Sequence, residues 1–136
     1  MVLDTNVIVA ALRSNRGASF RVLSNVDSGG FEICLSVPLV LEYEAALHRH
    51  ARSIGLTRRD VTDVLDYLCA VAHRQPIFFL WRPQLRDPQD DMVLELAVAA
   101  GCRFLVTFNT RDFASADSFG IRVVTPQQFL HAIGEI

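Results

Sequence analysis

Short apolar runs alternate with amphipathic stretches along this chain, and that alternation restricts the fold more than any other feature. Met1 to Asp4, Phe31 to Ser36, Ile77 to Trp81, Arg103 to Thr107 and Ile121 to Val124 have strand length, roughly four to six residues. Between them lie helical patterns. One runs from Asn6 to Leu12, and a second carries Phe20, Val22, Leu23 and Val26 before Ser28-Gly29-Gly30 stops it. Pro38 suits the first turn of a helix reaching about Ile54, with Gly55 as its stop. Thr57-Arg58-Arg59-Asp60 resembles a capping box ahead of Val61, Val64, Leu65, Leu68 and Val71. Asp87-Pro88 opens a helix that closes near Gly101, and Thr125-Pro126-Gln127-Gln128 opens a short last one. Short strands alternating with one or two helices predict an α/β fold whose parallel sheet of about four to five strands is covered on both faces.

Composition narrows the function classes. The 136 residues are 51% hydrophobic and 21% charged, enough to bury one core and too apolar for a disordered chain. No linker, repeat or low-complexity tract divides them, so a single domain over 1–136 is expected. A net charge of -2 argues against a broadly basic nucleic-acid coat, though not against a local basic patch. All 13 basic residues are Arg; without Lys there is neither a Schiff-base lysine nor a Walker-type phosphate loop. Cys34, Cys69 and Cys102 are widely spaced and show neither metal-ligand spacing nor a disulfide framework, which fits a reducing cytoplasm. No apolar run approaches the roughly 20 residues of a membrane span.

In parallel α/β sheets the chemistry lies outside the carboxyl ends of the strands. The first strand ends at Asp4, followed by Thr5 and Asn6. The second ends at Ser36, with Glu42 early in the next helix. Asp87, Asp90 and Asp91 begin the helix after the third strand, and the fourth strand ends at Thr107, with Asn109 and Asp112 beyond. Each acid has a plainer reading. Asp4 is a natural helix cap, Glu42 an ordinary helix acid, Asp87 and Asp90 the cap and third position of D-P-Q-D, and Asp112 a solvated loop acid. Asp90 shares the stripe of Val93, Leu94 and Ala97, whereas Asp91 sits well round the helix; a capping acid has no need to face inward. Asp90 is therefore preferred over Asp91 as a ligand. The four histidines lie on helical segments with no acid or Ser partner in view and read as surface or core residues.

Four chain segments thus deliver carboxylates to one sheet edge. Two such charges 4 Å apart repel by about 4 kcal/mol at an effective dielectric of 20, so a cluster persists only when protons or a cation neutralise it. Oxygen donors without His or Cys suit Mg²⁺ or Mn²⁺ rather than zinc. Such ions activate water and stabilise charge on a phosphate in transfer, which points to metal-assisted phosphodiester hydrolysis. Arg13, Arg16 and Arg21 form one loose group and Arg49, Arg52, Arg58 and Arg59 another; each is either a solvated face or a hold on a nucleic-acid backbone. An acid-nucleophile phosphatase, expecting D-x-D and a downstream Lys, fits poorly because Asp4-Thr5-Asn6 has no second acid.

Four blocks taken in order, V-L-D-T-N-V, S-V-P-L-V-L-E-Y-E, R-D-P-Q-D-D-M-V-L-E-L-A and F-L-V-T-F-N-T-R-D-F, resemble the PIN-domain nucleases, with the strongest likeness to VapC-like toxins of toxin–antitoxin pairs. The resemblance implies a three-layer α/β/α fold and a Mg²⁺- or Mn²⁺-dependent endoribonuclease. Asp4, Glu42 and Asp90 fall on the family's first three acidic positions, with Asp91 the fallback. The fourth departs from the common T-x-D: Thr107-Phe108-Asn109 carries no acid, and Asp112 is the nearest replacement. Thr5, Asn6, Thr107, Arg13 and Arg16 are expected along the substrate's path. The resemblance also implies a cytoplasmic homodimer, an RNA substrate and a cognate antitoxin. For that partner the helices Val37–Ile54 and Val61–Val71 are candidates for an apolar groove. The alternative is a PIN-fold module that binds nucleic acid or a partner without cleaving, a reading favoured by Asn109.

Overall fold

The computed structural model describes residues 1–28, 30–77, 85 and 87–134. Its elements run β1 (Val2–Leu3), α1 (Thr5–Arg13), α2 (Ala18–Ser24), β2 (Cys34–Leu35), α3 (Val37–Ile54), α4 (Arg58–Val71), β3 (His73–Arg74), α5 (Pro88–Ala99), β4 (Phe104–Val106), a 3-10 segment (Thr110–Phe119), β5 (Arg122–Val124) and α6 (Pro126–Ala132). All strand pairing is parallel. β1 pairs with β4 (Leu3 opposite Val106), β4 with β5 (Leu105 opposite Val123) and β2 with β3 (Cys34 opposite His73). The Cys34 amide donates to the Met1 carbonyl at 2.8 Å and joins the two groups, so the strands run in the order β3-β2-β1-β4-β5. The chain is an α/β fold of three-layer α/β/α type.

Helix ends follow the capping chemistry written in the sequence. Ser36 accepts from the Leu39 amide at 3.3 Å, and Gly55 ends α3 in the left-handed conformation at φ 76°, where a side chain would be strained. Thr57 and Asp60 form a reciprocal capping box, as do Thr125 and Gln128. Burial follows the apolar stripes: Leu39, Tyr43 and Leu47 on α3, Val61, Leu65 and Leu68 on α4, and Val93, Leu94 and Ala97 on α5 enter one core with the strands. Each fully buried side chain of this size stabilises the fold by about 1.5–3 kcal/mol.

Two elements differ from the sequence-based reading. The third strand is His73–Arg74, both exposed, ahead of the apolar run expected to form it. Of the expected Ile77–Trp81, Ile77 lies outside any strand and 78–81 lie outside the described residues. Pairing to β2, not hydropathy, selects β3: the His73 and Gln75 amides donate to the carbonyls of Ile33 and Leu35, each at 2.8 Å. The 3-10 segment was not foreseen. It is two short stretches meeting at a kink at Phe113 (φ -113°, ψ 27°), and it buries Phe113 and Ala116.

Candidate active site

The strand order reverses at β1, from which β2 and β3 lie to one side and β4 and β5 to the other. A crevice opens at such a switch point beyond the carboxyl ends of the strands. Asp4 and Thr107 stand there, one after β1 and the other after β4. The Asp4 amide donates to the Val106 carbonyl at 2.9 Å, continuing the β1–β4 pairing into the site.

Both Asp4 carboxylate oxygens have partners. Oδ1 accepts from the Thr5 amide at 2.8 Å, and Oδ2 accepts from the Thr107 hydroxyl at 2.7 Å. Asp4 therefore caps α1, the plainer reading, and also faces the crevice. The Thr107 oxygen accepts in turn from the Asn109 amide at 3.0 Å and the Asn6 side-chain amide at 3.5 Å. The Phe108 amide donates to Asn6 Oδ1 at 3.4 Å. Thr5, Asn6 and Thr107 thus hold Asp4 in one orientation. Burial raises the Asp4 pKa despite these bonds, and the charges of Glu42 and Asp112 push it the same way.

Glu42 reaches the site through its neighbour. The fully buried Tyr43 donates its hydroxyl to the Leu3 carbonyl, which fixes the rotation of α3 against the end of β1. Burial first, then the Asp4 charge, holds the Tyr43 hydroxyl well above its ordinary pKa. Glu42 itself lies 3.7 Å from Arg49 Nη2, its side chain only 16% exposed.

On α5 the two adjacent acids separate. Asp87 caps the helix, accepting from the Gln89 amide at 2.9 Å. Asp91 Oδ1 accepts from the Leu85 amide at 3.0 Å and so holds the approach to the helix. Asp90 is pushed up to about 6 by burial first, then by the charges of Asp4, Asp87, Asp112 and Asp91. It lines a cleft of about 460 Å³ with Leu85, Asp87, Arg111, Asp112 and Ser115.

The exposed Asn109 precedes the 3-10 segment, and Asp112 follows three residues later, its amide bonded to the Asn109 carbonyl at 3.0 Å. Asp112 lies in the first turn of the segment and lines the cleft with Asp90. Arg111, which the sequence does not single out, adjoins Asp112 and is the one cation lining the cleft among the described residues. Arg13 and Arg16 stand elsewhere: Asp4 precedes α1 and Arg13 ends it, about 13 Å away along the helix axis. The second Arg group keeps to α3 and α4, where Arg49 meets Glu42 and Arg59 pairs with Asp63 at 3.6 Å.

Among the described residues no three His, Cys, Asp or Glu side chains stand close enough together to enclose an ion. The donor chemistry still fits Mg²⁺ or Mn²⁺. Every nearby acid supplies oxygen, and burial first, then the charges of neighbouring acids, raises the pKa of Asp4 and Asp90. Mg²⁺ keeps several waters and commonly takes only one or two carboxylates, so a loose acidic group suits it better than a closed cage.

An apolar groove lies apart from the cleft. Val37, Val40 and Leu41 of α3, Cys69 of α4, and Leu35 and Pro76 line about 430 Å³, with Val37 74% and Leu41 58% exposed. Among the described residues no helix is long and apolar enough to cross a membrane.

The sequence profile of the family described as "PIN domain" matches residues 1–111. Among solved structures the chain is similar to one of VapBC2 from Rickettsia felis bound to a DNA fragment from their promoter. The TM-score is 0.59 and the identity 14%, over 90% of this chain and 96% of that one. At that identity the likeness is one of fold. No curated protein matches the chain.

Proposed function

The chain belongs to the PIN-domain family, and on that premise we propose that it is a Mg²⁺- or Mn²⁺-dependent endoribonuclease, the toxin of a toxin–antitoxin pair. What supports this reading is that Asp90 and Asp112 line one cleft beyond the strand ends, and that the charges of Glu42 and Asp112 act on Asp4, and those of Asp4 and Asp112 on Asp90.

In this reading Asp4, Glu42 and Asp90 hold the ion, with Asp112 serving in place of the acid absent at Asn109 and Asp91 in reserve. When bound, the ion supplies Lewis acidity and a countercharge for the scissile phosphate. The chain's own residues do the rest. Thr107 keeps Asp4 from rotating, because a carboxylate whose two oxygens are both hydrogen-bonded is already oriented before substrate arrives. Arg111 offers a guanidinium to a backbone phosphate at the cleft wall. Thr5 and Asn6 line the same path.

The α3–α4 groove is where an antitoxin helix docks. A tail continuing from it and placing an Arg among the acids would replace the ion's charge without its Lewis acidity. A cytoplasmic homodimer completes the proposal.

Cleavage of a fluorogenic RNA by the purified protein, with Mg²⁺ or Mn²⁺ and with EDTA, tests it. Wild type should cleave only with metal, and Asp4→Asn should lose at least about 100-fold while its melting point stays equal or rises. A wild-type protein that binds RNA or a partner and cleaves nothing at any metal concentration returns the reading to the non-cleaving module that Asn109 favours.

A further inference from the structure

A pair of thiols lies at the other end of the sheet, used by nothing above. Cys34 opens β2, and Cys102 lies in the turn between α5 and β4. They are 68 residues apart in sequence, yet their sulfurs are 3.4 Å apart. Backbone bonds fix both positions: the Cys34 amide donates to the Met1 carbonyl at 2.8 Å and the Cys102 amide to the Ala97 carbonyl at 2.9 Å. Cys34 is buried. Cys102 is partly open, and both thiols line a cleft of about 350 Å³ with Gly101, Arg103 and Phe129.

The two thiols are not equivalent. The hydrogen bond between the two sulfurs lowers the Cys102 pKa. The same bond, together with burial, raises the Cys34 pKa. A partly open thiol 3.4 Å from a buried one is the arrangement of an attacking and a resolving cysteine.

We propose that Cys34 and Cys102 are a reversible oxidation site that takes a hydroperoxide and closes to an intramolecular disulfide. The Cys102 thiolate attacks the peroxide; the O–O bond breaks, an S–O bond forms, and the leaving hydroxide takes a proton to become water. The sulfur of Cys34, giving up its proton, attacks the resulting sulfenic acid. An S–S bond forms, the S–O bond breaks, and a second water leaves. Two thiols have lost two electrons and two protons, and one hydrogen peroxide has become two waters. Closure requires the sulfurs to approach from 3.4 Å to about 2.0 Å, a shift that side-chain rotation supplies. The bond would tie β2 to the turn entering β4, across the start of β1. By closing so long a loop it should raise the melting point by about 10 °C.

The experiment treats the full chain with a slight excess of hydrogen peroxide, followed by intact mass, differential alkylation and thermal melting. The expected result is a monomer lighter by two hydrogens, with only Cys69 open to alkylation, a raised melting point, and full reversal by dithiothreitol. Cys69→Ser should behave as wild type. Cys34→Ser should accumulate a dimedone-reactive sulfenic acid at Cys102, and Cys102→Ser should lose both products. Alkylation of both Cys34 and Cys102 after oxidation would overturn the proposal, in wild type or in Cys69→Ser. So would a Cys102→Ser protein that oxidises at Cys34 as fast as wild type.

Discussion

Replacing Asp90 by Asn should stabilise the metal-free protein, and only above about pH 5. Burial and the surrounding acids push Asp90 from 3.8 up to about 6. An acid with a raised pKa binds its proton more tightly folded than unfolded. Stability is therefore greatest below the unfolded value, falls as pH rises from about 4 to 6, and stays low above that. At 1.36 kcal/mol per unit the full displacement amounts to about 3 kcal/mol. Asp90 is partly open to water, and solvent screening reduces this to about 1 kcal/mol. Asn is nearly isosteric with the protonated acid, so the variant keeps the low-pH stability throughout. Its melting point should exceed wild type by about 3 °C near pH 7.5, with the gain vanishing near pH 4. Mn²⁺ should then raise the wild-type melting point more than the variant's, because a cation supplies what the mutation makes unnecessary. Thermal melts across this pH range, with EDTA and with Mn²⁺, read all of these effects. A variant less stable than wild type at every pH, or a difference that does not change with pH, would falsify the reasoning.

The neighbouring acid should behave differently. Asp91→Asn keeps an oxygen for the Leu85 amide and should weaken Mn²⁺ binding and cleavage less than Asp90→Asn, whereas Asp91→Ala should cost about 1 kcal/mol of stability in urea melts. Thr107→Val removes the donor to Asp4 and leaves the Asn109 amide without its acceptor. It should lower kcat about tenfold or more and stability by about 1–2 kcal/mol, with Thr107→Ser restoring both. Leu41→Arg, placed on the exposed groove, should abolish antitoxin binding in a pull-down while leaving RNA cleavage within about twofold of wild type.

What the sequence determined by itself was mostly local. Helix boundaries followed from Ser36, Thr57, Asp87 and Thr125, whose side chains satisfy amides within three residues, and from Gly55 beyond the end of α3. Apolar periodicity marked the buried faces, and the alternation of strand and helix fixed a parallel sheet, because few other arrangements bury segments so ordered. The edge on which Asp4, Glu42, Asp90 and Asp112 collect followed from that same logic. Tertiary structure decided whatever depends on partners far away along the chain. β3 settled on the exposed His73–Arg74 because amides without β2 as a partner would be left unpaired, a demand that hydropathy does not register. Asp90 and Asp91 are adjacent in sequence, yet Asp91 Oδ1 takes the Leu85 amide while Asp90 lines the cleft. Arg111, which no spacing singles out, stands at the cleft because the 3-10 segment after β4 carries it there. Cys34 and Cys102 gave no sequence signal at all. Spacing reveals only residues that share an element, whereas the order of strands in a sheet brings together residues that nothing in the chain between them connects.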